Sequence, residues 1–157
     1  MSALYFSYGA WMYSRNLKAT LSDWSLAPRL ARLPGHRPIV DRLGGMSVEP
    51  AAGDEVWGIA WRITAEQLTR LDELEAVSFD RYRRHLLAIN VGGQSLEAIG
   101  YISPHPAGGI CSTHYFSAVM TGAIEHGLPQ PYIERLEALG PRWTWLDPHN
   151  PACERPE

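Results

Sequence analysis

Glu75 is the residue of this chain best placed to move a proton. It follows a segment in which Leu68, Leu71 and Leu74 recur at helical spacing. Lying four residues after Leu71 and seven after Leu68, its carboxyl points to the same apolar side. Glu73 points outward and Asp72 falls near the border. An inward carboxylate is costly to desolvate and needs a reason. In the structural reading it is half exposed at a helix end, or paired with Arg81 or Arg83. In the functional reading it is a general acid/base whose pKa is raised by apolar surroundings. Helix geometry leaves both open. The second segment that could carry chemistry is YFSYGAWM, Tyr5 to Met12. A glycine at a strand end, followed by a helix, leaves backbone N–H groups unpaired, and such a nest can hold a carboxylate or a carbonyl oxygen. An ordinary strand-to-helix turn is the plainer reading.

Other constellations are weaker. His105, Cys111 and His114 are near one another, but no CxxC, HxH or HExxH spacing occurs, so no metal site is expected. VGGQ reads as a hairpin turn, since no helix opens after it to cradle a phosphate. GxSxG is absent, and Ser112 beside His114 is proximity in sequence, not a triad.

The elements that must position Glu75 are legible. Trp57, Ile59, Trp61 and Ile63 alternate with Gly58, Ala60 and Arg62, the period of a half-buried strand over Val56 to Ile63. Thr64 with Gln67 three residues on is a capping-box signature, so a helix is expected over Ala65 to Leu74. Upstream, Ala3 to Tyr8 reads as a strand, and Leu17, Leu21 and Trp24 place a helix beginning near Met12 to Ser14. Residues 25 to 50 are rich in proline, glycine and arginine, with short strands expected at Ile39 to Leu43 and Gly44 to Val48. Arg81 to Val91 looks extended and returns through the Gly92-Gly93 turn into Leu96 to Ser103. Phe116, Val119, Met120 and Ala123 form one helix face, stopped by Gly127 and Pro129. Pro131 starts a last helix that Gly140-Pro141 ends. Strands joined by a hairpin, with helices between and after, predict an α+β domain with a mostly antiparallel sheet or barrel. The domain is expected over residues 1–142, with 143–157 as a polar, proline-rich tail.

Composition excludes several classes. The 157 residues suit one domain with a real core, at 45% apolar and 20% charged residues. Net charge is −3, with no basic stripe to track a phosphate backbone, so no nucleic-acid partner is expected. No apolar run reaches membrane-spanning length, and MSALYFSYG lacks the pattern of a signal peptide. Cys111 and Cys153 are too few for a disulfide framework, so a cytoplasmic location is expected. Six tryptophans and seven tyrosines are many for this length, and some are expected to line a cavity or interface.

Taken in order, these segments resemble the γ-glutamylcyclotransferase family. The family's YGSN loop is matched by Tyr8-Gly9-Ala10-Trp11, and its PGDxVxGxxW strand by AGDEVWGIAW, ending at Trp61. Its LDxxEG helix end is matched by Leu71 to Ala76, and its tyrosine seven residues after the glutamate by Tyr82. GAIEHGLPQPYIERLEAL, Gly122 to Leu139, is similar to the family's C-terminal helix pair. The resemblance implies a small, mostly antiparallel β-barrel with flanking helices and a cavity at one end. It implies Glu75 as catalytic acid/base and the Tyr8, Gly9, Ala10 and Trp11 loop as cradle for a γ-glutamyl group. It also implies that Tyr82, Tyr101 and Tyr115 line the pocket. The reaction it implies is cyclisation of a γ-glutamyl amide to 5-oxoproline, releasing an amine or amino acid without a cofactor. A homodimer is an expectation from the same likeness. Three residues depart from the pattern: Ala10 stands for the family serine, Trp11 for the asparagine and Ala76 for the glycine. An indole at position 11 keeps open the alternative of an inactive binding or scaffold protein.

Overall fold

The capping box at Thr64 forms in full. In this computed structural model, which describes residues 2–141, the Thr64 hydroxyl accepts from the Gln67 backbone N–H while the Gln67 side chain accepts from the Thr64 N–H. The chain runs β1 (Ser2–Ser7), α1 (Ser14–Thr20), β2 (Arg29–Val40), β3 (Met46–Thr64) and α2 (Ala65–Leu74). It continues with β4 (Arg83–Val91), β5 (Gln94–Ile102), α3 (Thr113–Glu125) and α4 (Gln130–Leu139). A short 3-10 turn, Ala10–Met12, follows β1, and another, Val77–Phe79, follows α2. The fold is α+β, with a five-stranded mixed sheet and four α-helices among the described residues.

β3 pairs antiparallel with β1 on one side and β2 on the other. β2 continues to β4 and β4 to β5, again antiparallel. β5 returns to β1 in parallel, with Ile99 opposite Tyr5, so the pairing order β1-β3-β2-β4-β5 closes on itself. Phe6, Met12, Leu17, Ile59, Trp61, Ile63 and Leu71 are fully buried. Trp61 donates its indole N–H to the Ser7 hydroxyl at 2.9 Å, which ties β3 to β1 inside that core.

Two expectations need correction. The strand through Trp61 is not half-buried: Gly58, Ile59, Ala60 and Trp61 are all hidden, so both faces are covered in its middle. A Cβ at Gly58 would lie 2.4 Å from the Ser7 carbonyl oxygen and 2.8 Å from the Phe6 ring, so only glycine lets β1 approach there. The expected strands at Ile39–Leu43 and Gly44–Val48 have different bounds. β2 begins at Arg29, ends at Val40, and crosses Pro34, Gly35 and Pro38. A register shift between Pro34 and His36, with Gly35 at φ 73°, forms a bulge next to Pro34, while Pro38 stays in register opposite Val48. Asp41 to Gly45 is the connection to β3, not strand. The expected boundary at 142 and the tail 143–157 lie outside the described residues.

Candidate active site

A cavity of about 490 Å³ opens beside the end of β1. Its wall includes Glu75, the loop Tyr8 to Trp11, Tyr82, Tyr101 and Tyr115. All eight site residues expected from the sequence therefore meet in one place. They come from the end of β1, the end of α2, the start of β4, β5 and α3.

Glu75 is the C-cap of α2, its backbone N–H bonded to the Leu71 carbonyl at 2.8 Å. Its carboxyl receives no hydrogen bond and no ion pair among the described residues. The arginines that could have neutralised it are engaged elsewhere. Arg81 pairs with Asp41 and Arg83 with Asp80. Burial pushes the Glu75 pKa up to about 7, against a smaller downward pull from the Arg81 charge. Glu75 is half-buried at the helix end, and the arginine pairing of the structural reading does not form among the described residues.

Immediately after Glu75 the chain turns sharply. Ala76 sits at φ 51°, ψ 47°, a left-handed conformation that favours glycine. This is the position where the resembled pattern has glycine. The turn brings the Arg81 N–H to the Ala76 carbonyl at 3.1 Å and starts β4 back along the cavity.

At the end of β1, Gly9 packs tightly. A Cβ there would lie 3.2 Å from both the Met46 Cβ and the Tyr115 hydroxyl. The Gly9 and Ala10 carbonyls accept from Met12 and Tyr13. The N–H groups of Gly9, Ala10 and Trp11 have no acceptor among the described residues, so they form the unpaired set expected of this loop. Trp11 is half-buried and forms part of the wall of an open cavity.

The tyrosines mostly hold one another and the backbone. Tyr8 donates to the Tyr101 carbonyl, and Tyr82 to the Met46 carbonyl at 2.8 Å. Tyr101 donates to Asp72 at 2.6 Å, and Asp72 is paired with Arg84. Tyr115 instead accepts from the Met46 N–H at 3.0 Å. Burial raises all four phenols, so they stay protonated at neutral pH.

Sequence reasoning missed part of the site. Tyr5, Asp41, the Gly44-Gly45 doublet and the positioning of Arg81 were not singled out as site features. The doublet was the available signal: a Cβ at Gly45 would meet the Tyr82 hydroxyl at 2.3 Å and Arg81 Nη2 at 2.5 Å. Cys111 also faces the cavity, but burial, with the Asp41 charge adding to it, pushes its thiol up to about 11, so it stays an un-ionised thiol. No group of three His, Cys, Asp or Glu residues among the described residues could hold a metal. None of their helices is long and apolar enough to cross a membrane.

Comparisons with known proteins point the same way. A family model described as the AIG2-like family matches residues 55–136, just over half of the chain. A mouse protein named γ-glutamylcyclotransferase is 33% identical over 102 residues, 62% of this chain and 53% of the relative. The chain thus matches about half the length of that mouse relative. A human protein of the same name is 27% identical over 154 residues, covering 89% of this chain and 80% of the relative. A solved structure named γ-glutamyl cyclotransferase superposes with a TM-score of 0.81 at 26% identity, over 90% of this chain and 89% of that one. The matched segment carries the second half of β3, α2, Glu75 and Tyr82, and the chain belongs to the AIG2-like family, with proteins named γ-glutamylcyclotransferase among its relatives.

Proposed function

We propose that this protein cyclises a γ-glutamyl amide to 5-oxoproline and releases an amine or amino acid. The observation that carries this reading is Glu75: a carboxyl with a pKa of about 7 and no partner among the described residues, lining the same cavity as the Gly9 to Trp11 loop, whose backbone N–H groups have no acceptor among those residues. The relatives' names supply the reaction class. On this reading the closed ring of strands is a small barrel with the reaction site at one end.

The substrate's α-amino nitrogen attacks its own γ-carbonyl carbon. Glu75 takes a proton from that nitrogen as the new C–N bond forms, and returns one to the leaving nitrogen as the amide C–N bond breaks. No outside nucleophile takes part. Folding the substrate into a ring-closing pose supplies much of the rate, since effective molarities for such reactions reach ~10⁵ M or more. A carboxyl with a pKa near the working pH can both accept and donate. The N–H groups of Gly9, Ala10 and Trp11 would hold the glutamyl moiety and the oxyanion that develops on its γ-carbonyl. One such donor contributes about 3 kcal/mol in well-studied enzymes.

Incubation with γ-glutamylalanine and detection of 5-oxoproline tests the proposal. Turnover by the native protein and none by Glu75→Gln is the expected result. Trp11, where the resembled pattern has a polar side chain, favours a second reading as a binding protein without turnover. Saturable binding of the same compound with no 5-oxoproline from the native protein would establish that one instead.

A further inference from the structure

The cavity wall holds a second charged group that the proposed proton transfer leaves unused. Asp41 is wholly buried, its carboxylate held by Arg81 at 2.6 Å and by the Leu43 and Gly45 N–H groups at 3.0 and 2.9 Å. Arg81 is not hidden: its side chain is 26% exposed and faces the cavity. Its guanidinium lies 4.5 Å from the centre of the Tyr82 ring, and Gly45 leaves the room for it. The counter-ion is therefore behind the wall and the cation is in it. A guanidinium has five N–H donors in a rigid fork, and Asp41 takes two of them. The remainder have no acceptor among the described residues, although Arg81 lines the cavity.

The position of Arg81 selects what it can meet. It abuts the Leu43 to Gly45 loop, and the nearby cavity residues Leu43 and Ile110 are 54% and 64% exposed, so this is the mouth. The unpaired Gly9 to Trp11 N–H groups are assigned above to the glutamyl end, which leaves Arg81 for the other end of the substrate. A leaving group departs through the mouth, past Arg81.

We propose that Arg81, aimed by the buried Asp41, is a specificity-determining residue that binds a carboxylate on the leaving group, so that γ-glutamyl amino acids are preferred over γ-glutamyl amines. This rests on the cyclisation reading above. A planar fork fixed from behind is suited to bind a carboxylate, whereas a neutral alkyl chain leaves its donors unpaired.

γ-Glutamylalanine and γ-glutamylethylamide differ only by the leaving-group carboxylate, so their kcat/KM ratio reads this contact. The native protein is expected to favour the acid by about 10-fold or more, the range of a hydrogen bond to a charged group. In the double variant Asp41→Asn/Arg81→Met, which leaves no unpaired buried carboxylate, the ratio should fall to about 1 through loss on the acid. Arg81→Lys, which keeps the charge without the fork, should restore part of it. A ratio unchanged in the folded double variant overturns the proposal. So does an equal loss on both compounds, which would place Arg81 on the glutamyl carboxylate or in a structural role. If the native protein releases no 5-oxoproline from either compound, the cyclisation reading fails by itself. Calorimetric binding of both compounds then judges Arg81: tighter binding of the acid, lost in the double variant, supports it, and equal or absent binding overturns it.

Discussion

Asp41 is wholly buried and Glu75 half-buried, and the two acids are tuned in opposite directions. Burial raises both. At Asp41 the Ser103 hydroxyl, the Gly45 N–H and Arg81 outweigh it and hold the carboxyl below its usual range. At Glu75 nothing is hydrogen-bonded to the carboxyl, the Arg81 charge acts only from a distance, and the pKa stands at about 7. The same arginine acts on both, in direct contact with Asp41 and only through space on Glu75. Donors in contact, Arg81 among them, decide the outcome. One acid is fixed as an anion and serves as a mount. The other is left able to gain and lose a proton.

That contrast can be broken from either side. The largest effect is expected from Glu75→Gln, which should reduce 5-oxoproline formation by at least about 10³-fold, within the range for losing a general acid/base. Circular dichroism of this variant should match that of the native protein. Asp41→Ala is next, and should destabilise the fold by about 3 kcal/mol or more, because it strands a partly buried Arg81. Chemical denaturation measures it, and an unchanged midpoint would make the pair ornamental.

The pH dependence of stability distinguishes the two acids directly. Glu75 keeps its proton in the native state up to about pH 7, while the unfolded chain releases it near 4.5. Stability should therefore fall as pH rises between those values, by about 3 kcal/mol in all, and stay reduced above. Glu75→Gln should abolish that loss, so the variant gains on the native protein at pH 8 relative to pH 4. Asp41 works the other way: its contribution is present above the unfolded carboxyl pKa and is lost as pH falls through its lowered native value. The smallest effects are expected at the supports. Ala76→Gly should raise stability by about 1 kcal/mol by relieving the left-handed turn, read as a higher melting temperature. Tyr82→Phe should lower it by about 1 kcal/mol through the lost bond to the Met46 carbonyl, with a minor change in turnover.

Glu75 was readable because its cause is local. The Leu68, Leu71 and Leu74 spacing and the Thr64 cap fix a helix and its phase, and these survive folding unchanged. The Gly92-Gly93 turn and the Pro131 helix start were legible for the same reason. Asp41 and Arg81 were not, since they are forty residues apart and meet only once β3 and β4 are placed. β2 was hidden by its prolines: local propensity argues against a strand, and only the bulge at Gly35 and pairing to β3 permit one. The burial of Gly58 depended on the Phe6 ring and Ser7 carbonyl of the neighbouring strand β1 closing against it, which no alternation pattern announces.

Because α2 is pinned at Thr64 and ends on Glu75, it acts as a ruler as well as a wall. Each residue of an α-helix advances about 1.5 Å and turns about 100°. A single residue inserted between cap and carboxyl would carry the acid about a quarter-turn round the axis, away from the hollow it faces. On the proposed reading the length of that short segment is therefore as much a part of the chemistry as the group at its tip, and a chain that kept every side chain but lost the count would lose the proposed reaction.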